Sequence, residues 1–140
     1  MHANKPTDHP AAKAALAAMA AVTDGDRNAW LAGYAADAVL HDPVGGSPLD
    51  PHGDGLRGHA ALRQFWDLAV APNDVRFAVA AVHPAGTEAA VVATVTTRFT
   101  DDTVLDYDGV FVYRLDEDGR IASMHGYWDL ARVLAAHNAG

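Results

Sequence analysis

The pattern of apolar and polar positions divides the chain into a helical first half and a second half of alternating strands. An alanine-rich apolar run over residues 11–22, with Pro10 just before it, predicts a first helix. Apolar residues then recur at helical spacing over residues 27–35 and again over residues 59–69, which predicts a second and a third helix. Helices therefore occupy most of the first half of the chain.

After Pro72 the period changes from helical to alternating, which is typical of strands. Four such runs, separated by short turns, predict an antiparallel meander: Val75–Val82, Thr87–Thr100, Thr103–Leu115 and Arg120–Tyr127. A short helix is expected after Trp128. Helices followed by strands indicate an α+β fold, in which a curved antiparallel sheet packs on helices. We expect a single domain over residues 1–140, with a flexible N-terminus at residues 1–9.

Composition narrows the class of protein. The chain has 140 residues, no cysteine, and ten Lys and Arg against eighteen Asp and Glu, a formal net charge of −8. Without cysteine, disulfides, thiolate nucleophiles and Cys-ligated metal centres are excluded. The acidic balance argues against nucleic acid as a partner.

The apolar run near the N-terminus does not have the features of a membrane or signal segment. It is shorter than the roughly twenty residues that cross a bilayer. Asp8 and His9 precede it, where a signal peptide needs a basic start. We therefore expect a cytoplasmic protein with no membrane partner.

Eight histidines invite the hypothesis of a metal centre, but their spacing does not support it. No two of them form a His-x-His or His-x-x-x-His pair. The aspartates between residues 101 and 108 likewise lack the spacing of a calcium-binding loop. We expect neither a metal nor any other cofactor.

A Gly-, Pro- and Asp-rich stretch over residues 42–58 contains the candidate catalytic residue. A loop of this length in a compact domain is usually functional or mobile. Its first residue, Asp42, precedes Pro43, and a carboxylate held there against apolar walls has a raised pKa, which suits a general base. Alternatively, Asp42 only begins a turn, because Asp-Pro is a common turn dipeptide.

Two segments, GDRNAWLAGYAADAVLHDPVGG at Gly25–Gly46 and DEDGRIASMHGYW at Asp116–Trp128, resemble the ketosteroid isomerases of the SnoaL-like, nuclear transport factor 2-like superfamily. The Gly- and Pro-rich extension before Arg57 is similar to that of mycobacterial-type members. The resemblance implies a cone-shaped fold with three N-terminal helices on a curved sheet that encloses an apolar pocket. It also implies a hydrophobic small-molecule ligand, no cofactor, and a homodimer formed through the outer face of the sheet.

In that family a carboxylate moves a proton between two carbons of an unsaturated ketone, while hydrogen-bond donors hold the dienolate oxygen. The resemblance assigns the base to Asp42, but the two donor positions fall on Ala18 and Phe111, which carry no hydroxyl. Tyr34 matches a tyrosine that supports the donors, so the candidate catalytic residues are Asp42 and Tyr34. The candidate ligand-binding residues are Ala18, Trp66, Phe111, Tyr113, Met124 and Trp128.

Tyr113 shares a strand face with Phe111, so it is a candidate to replace a missing donor. For Tyr34 and Tyr113 the alternative is that each only packs in the core or on the sheet. The loop over Gly46–Arg57 either covers the mouth of the pocket or is a surface excursion without effect.

The predicted strand at Thr87–Thr100 can present either of two faces to the pocket. If the alternation is counted from Phe111, one set of its side chains points inward; if the more apolar face is the buried one, the other set does. The two sets are Val92, Thr94 and Thr96 for the first, and Val91, Val95 and Phe99 for the second.

The function that the resemblance implies is that of a cofactor-independent isomerase acting on a steroid or another fused-ring ketone. A cyclase or epoxide hydrolase of the same superfamily is an alternative, because one fold hosts several chemistries. A non-catalytic binder of a hydrophobic small molecule is another, and the missing donors favour it.

Overall fold

The structure, a computed structural model, describes residues 6–139. In chain order its helices and strands are α1 Pro10–Asp24, α2 Arg27–Ala32, β1 Tyr34–His41, β2 Leu56–Arg57, α3 Gly58–Phe65, β3 Asp74–Ala85, β4 Glu88–Arg98, β5 Val104–Leu115, β6 Ile121–Tyr127 and α4 Leu130–Ala139. Part of the predicted flexible N-terminus, residues 1–5, lies outside the described residues, and Pro6–Asp8 form a short 3-10 turn. None of the helices within residues 6–139 is long and apolar enough to span a membrane.

Helix α1 is the alanine-rich helix that the sequence predicts. It begins at Pro10, and the His9 side chain caps it by accepting a 3.1 Å hydrogen bond on Nδ1 from the backbone N–H of Ala11. Small side chains such as Ala11 and Ala15, both fully buried, let the helix approach the sheet closely.

The second helix is shorter than predicted. It ends at Ala32, and Tyr34, which was expected in its last turn, begins strand β1 instead. The backbone N–H of Ile121 donates a 2.8 Å hydrogen bond to the carbonyl of Gly33, which ties this point of the chain to β6. A periodicity argument on one segment does not detect pairing with a strand some eighty residues later, so the helix prediction was wrong from residue 33 onward.

The six strands form one curved sheet in the order β2-β1-β6-β5-β4-β3. Strands β3 to β6 form the predicted antiparallel meander, and this part of the prediction is confirmed. Strand β1 pairs with β6 in parallel, so the sheet is mixed rather than wholly antiparallel. The predicted α+β class and the nuclear transport factor 2-like architecture are confirmed.

The core lies between the helices and the concave face of the sheet. The inward side chains of β4 are Val91, Ala93, Val95 and Thr97. The prediction from hydrophobicity was therefore right about the buried face, and the prediction counted from Phe111 was wrong. Thr94 and Thr96 point outward and donate 2.6 Å hydrogen bonds to Asp108 and Asp106 on β5. Phe111 also faces inward, because it is the register partner of Val91.

Candidate active site

The cavity has a volume of about 420 Å³ and lies between the concave sheet face and the helices. Its lining is mostly apolar, and Asp42 is the only carboxyl-bearing side chain in it among residues 6–139. A second depression, of about 620 Å³, lies between β5 and α4 and is lined by Asp106, Asp108 and Asp129 but not by Asp42. The apolar cavity is the candidate site, because an apolar pocket with one isolated carboxyl is typical of a small-molecule site.

Asp42 is the residue directly after β1 and is joined to Pro43 by a cis peptide bond. Its Oδ1 accepts a 2.8 Å hydrogen bond from Nε1 of Trp128. Burial raises the pKa of Asp42 from its ordinary value of 3.8 to about 6, and the hydrogen bond from Trp128 opposes part of that rise. The carboxyl is thus poised to accept a proton near neutral pH.

Two buried tyrosines share the cavity with this carboxyl. Tyr34 is 2% exposed and Tyr113 is 4% exposed, and both line the cavity. Burial raises the pKa of each hydroxyl above its ordinary value, and for both the negative charge of Asp42 raises it further. Both therefore remain protonated at neutral pH and keep a proton to donate.

The indole of Trp30 is a donor beside the Tyr34 hydroxyl and lowers its pKa, against the larger effect of burial. The rings of Trp30 and Tyr34 also pack at 4.9 Å, which holds the phenol in place.

A third tyrosine, Tyr107, belongs to the site although sequence reasoning missed it. It lines the cavity, and its ring stacks on Trp128 with centroids 4.0 Å apart. Burial, followed by the charge of Asp42, raises its pKa. A signal for it was present, because Tyr107 precedes Phe111 by four positions and therefore lies on the same strand face.

Most of the predicted ligand-binding side chains line the cavity, but two do not. Phe111, Met124 and Trp128 line it together with Tyr113.

Trp66 and Ala18 are buried without being part of the lining. Trp66 packs against Trp30 instead, with ring centroids 5.3 Å apart. Helix α1 contributes Met19 and Val22 to the cavity in place of Ala18. Ala18 and Trp66, which were predicted to bind the ligand, therefore do not line the cavity.

The third predicted helix changes its winding where it meets the cavity. Helix α3 ends at Phe65, and residues 66–70 form a π-helical turn closed by a 2.8 Å hydrogen bond from the Ala71 N–H to the Trp66 carbonyl. Such widened turns are frequent at functional sites. Here the turn contributes Leu68, Ala69 and Val70 to the lining.

The loop after Asp42 lies along the cavity. Four of its residues line it: Pro43, Ser47, Pro48 and Leu49. The carboxylate of Asp50 accepts a 3.0 Å hydrogen bond from the backbone N–H of Gly55, which closes the loop on itself. This placement favours the hypothesis that the loop covers the pocket over that of a surface excursion without effect.

The site combines one carboxyl of raised pKa with protonated phenols in an apolar cavity. A carboxylate in this setting can remove a proton from a carbon next to a ketone. Phenol protons can stabilise the negative charge that develops on the ketone oxygen.

Comparison with known proteins places the chain in a class. Residues 15–124 match the SnoaL-like domain family, and the chain belongs to that family. It is 37% identical to the steroid Δ-isomerase of Nocardioides simplex over 117 residues, which are 83% of this chain and 88% of that protein.

Two solved structures share the fold closely. The crystal structure of the Δ5-3-ketosteroid isomerase from Mycobacterium sp. superposes with a TM-score of 0.83 at 38% identity, covering 87% of this chain and 95% of that one. A Mycobacterium tuberculosis protein in complex with estradiol-17β-hemisuccinate superposes with a TM-score of 0.83 at 33% identity, again covering 87% and 95%. The predicted resemblance to ketosteroid isomerases is confirmed.

Proposed function

We propose that the protein is a cofactor-independent isomerase that moves a proton within a hydrophobic unsaturated ketone, with Asp42 as the general base. The observation that carries this proposal is the position of Asp42, an isolated carboxyl with a pKa of about 6 in an apolar cavity. Ionised Asp42 removes a proton from the carbon next to the ketone and returns it to the far carbon of the double bond. The base is regenerated, so the reaction consumes nothing.

The dienolate oxygen formed in this reaction needs hydrogen-bond donors, and we assign them to Tyr34 and Tyr113. They replace the donors that the resemblance locates at Ala18 and Phe111. Both phenols are protonated and lie in the field of Asp42.

The ligand class we propose is a steroid or another fused-ring ketone. The cavity volume of about 420 Å³ lies in the range of roughly 300–1,000 Å³ that is typical of small-molecule sites. The relatives named above include two steroid isomerases and one steroid-bound protein. A cyclase or epoxide hydrolase would need a second carboxyl near an attacking water, whereas the cavity lining within residues 6–139 offers Asp42 alone.

We also propose a homodimer that forms through the outer face of the sheet. Val110 and Tyr127 are register partners on that face, and they are 36% and 51% exposed. Sedimentation analysis of the wild-type chain and of Tyr127→Glu tests this, with a monomeric variant as the expected result. A wild-type chain that sediments as a monomer contradicts it.

The test of catalysis is a Δ5-3-ketosteroid substrate with formation of the conjugated enone followed by ultraviolet absorbance. We expect Asp42→Asn to lower kcat by about 10²- to 10⁴-fold while steroid binding persists. Asp37→Asn, an exposed aspartate on the same strand, is the matched control and should retain full activity. Steroid binding without turnover by the wild type would establish the non-catalytic binder instead.

The donors are tested in the same assay. Tyr34→Phe and Tyr113→Phe should each lower kcat by about 10- to 10³-fold, because each removes one proton from the developing oxyanion. Tyr127→Phe, on the exposed outer face, is the control. Full activity in both cavity variants would leave the phenols with a packing role only.

A further inference from the structure

Besides Ser47 in the loop, two polar side chains interrupt the apolar lining away from Asp42 and its tyrosines. They are Asn73, just before β3, and Thr97, near the end of β4. Neither has a part in the proposed proton transfer. Polar groups in an otherwise apolar pocket are the ones that orient a ligand, so their position relative to Asp42 is informative.

The register of the sheet separates Thr97 from the strand positions that Asp42 contacts. Asp42 lies against Gly126, because a Cβ built on Gly126 would be 2.7 Å from Oδ1 of Asp42. Gly126 is the register partner of Phe111, and Phe111 is the partner of Val91. Thr97 follows Val91 by six residues on the same strand face. Thr97 therefore lies further along the cavity than the part of the sheet that Asp42 contacts.

The hydroxyl of Thr97 is available to a ligand. Thr97 is 8% exposed, and its side chain makes no hydrogen bond with any other residue of the described chain. No side-chain nitrogen or oxygen in residues 6–139 is both sealed from solvent and unpartnered. The hydroxyl therefore reaches the cavity space that Thr97 lines.

Asn73 offers a hydrogen-bond acceptor in a fixed orientation. Its Nδ2 donates a 2.9 Å hydrogen bond to the carbonyl of Ala69, and its backbone N–H donates a 3.0 Å hydrogen bond to the carbonyl of Val70. The side-chain oxygen remains as an acceptor. Asn73 directly precedes β3, whose Val75 is the register partner of Thr97, so the two residues lie where β3 begins beside the end of β4, and both line the cavity.

We propose that Thr97 and Asn73 form a polar subsite for a hydroxyl group at the end of an elongated fused-ring ligand that is remote from its ketone. A hydroxyl group donates to the Asn73 oxygen and accepts from the Thr97 hydroxyl, so it satisfies both. A ketone at that end only accepts from Thr97, and a hydrocarbon end leaves both groups unpaired. The proposal rests on the proposed function in one respect, that the reacting ketone is the end held at Asp42.

Binding of three conjugated 3-ketosteroids tests the subsite without turnover, because they are products of the proposed reaction. They carry a hydroxyl group, a ketone or only hydrogen at position 17 of the ring system. The readout is the dissociation constant of each, measured by calorimetry, for the wild type, Thr97→Val and Asn73→Ala. Thr96→Val makes the same substitution on the same strand, but on the outer face, and is the matched control.

We expect the preference for the hydroxyl steroid over the unsubstituted one to fall about tenfold in Thr97→Val and in Asn73→Ala. Affinity for the unsubstituted steroid should change by less than about twofold in both variants. Thr96→Val should keep the wild-type ratio between the dissociation constants of these two steroids. An unchanged ratio in both cavity variants overturns the subsite, as does a wild type that binds none of the three steroids.

The isomerase assay separates this proposal from the proposed function. Turnover of a Δ5-3-ketosteroid with an unchanged binding ratio overturns the subsite and leaves the isomerase intact. A ratio that falls in both variants, in a chain without turnover, supports the subsite and overturns the isomerase. If Thr97→Val does not fold, the ratio in Asn73→Ala decides.

Discussion

Nε1 of Trp128 donates a 2.8 Å hydrogen bond to Oδ1 of Asp42, across 86 residues of sequence. The two residues meet because each directly follows one of two parallel neighbours, β1 and β6, whose ends lie at the same edge of the sheet. Tyr107 stacks on Trp128 at 4.0 Å and holds the indole in place. The position of the base is therefore set by the rigid sheet, not by the loop that follows it.

The pH dependence of kcat/KM should report the ionisation of Asp42. Burial raises its pKa to about 6, and only the ionised carboxylate can accept a proton. We expect kcat/KM to fall about tenfold for each pH unit below 6 and to level off above about pH 7. Steady-state rates from pH 4.5 to pH 8.5 check this. A flat profile over that range would exclude Asp42 as the base.

Removing the hydrogen bond from Trp128 should shift the pH profile of kcat/KM. In Trp128→Phe the carboxylate loses a hydrogen bond that favours its charged form, so the pKa of Asp42 rises and the midpoint shifts to higher pH. A hydrogen bond to a charged group contributes about 1.5–3 kcal/mol, which corresponds to roughly one to two pH units.

Trp66→Phe is the control for the lost indole, because Trp66 is buried but lies outside the cavity lining. It should lower stability without moving the midpoint of the profile. A midpoint that is the same in Trp128→Phe and in the wild type would show that the hydrogen bond does not influence the base.

Local sequence patterns predicted the meander, and the resemblance of Gly25–Gly46 to the ketosteroid isomerases predicted the base. The alternation over β3 to β6 has a period of two that is visible in each strand alone. The Asp42-Pro43 pattern alone left open whether Asp42 only begins a turn. Neither inference needs knowledge of distant pairing.

The errors came from contacts between distant segments. The first residues of β1, Tyr34 and Ala35, were predicted as helix because their partner strand β6 is far away in sequence. Trp66 was expected in the pocket, but it lies at the start of the π-helical turn and packs against Trp30 instead. Tyr107 was not predicted, although it shares a strand face with Phe111 and Tyr113, because alternation does not show how far along that face the cavity extends.

Gly126 is needed for the close approach of the base to β6. A Cβ at this position would be 2.7 Å from Oδ1 of Asp42 and 3.3 Å from the Phe111 ring. In Gly126→Ala the carboxylate must rotate away from Trp128, so we expect kcat to fall at least about tenfold, because misplaced catalytic groups lose rate steeply.

Gly33→Ala is the matched control for the added methyl group. Its nearest contact is 3.5 Å from the Trp30 carbonyl, an ordinary packing distance, so kcat should be unchanged. Both variants are measured in the enone assay, with thermal denaturation to confirm folding. Full activity in Gly126→Ala would mean that the carboxylate works equally well from another orientation.

The raised pKa of Asp42 also makes stability depend on pH. The folded state favours the protonated acid, since the pKa is about 6 when folded against 3.8 in its ordinary state. The resulting stability is fully present below about pH 3.8 and is lost as pH rises through 6. At pH 8 the buried carboxylate costs about 3 kcal/mol.

Asp42→Asn cannot ionise and keeps an oxygen that accepts from Trp128. We therefore expect it to exceed the wild type in free energy of unfolding by up to about 3 kcal/mol at pH 8, with the difference vanishing near pH 4. Urea denaturation at pH 4, 6 and 8 measures the difference, and Asp37→Asn should show none at any of the three. An equal difference at pH 4 and pH 8 would mean that the variant acts through packing and not through the charge of the base. A site that is less stable when its carboxylate is ionised, yet active only in that form, trades stability for reactivity at a single residue.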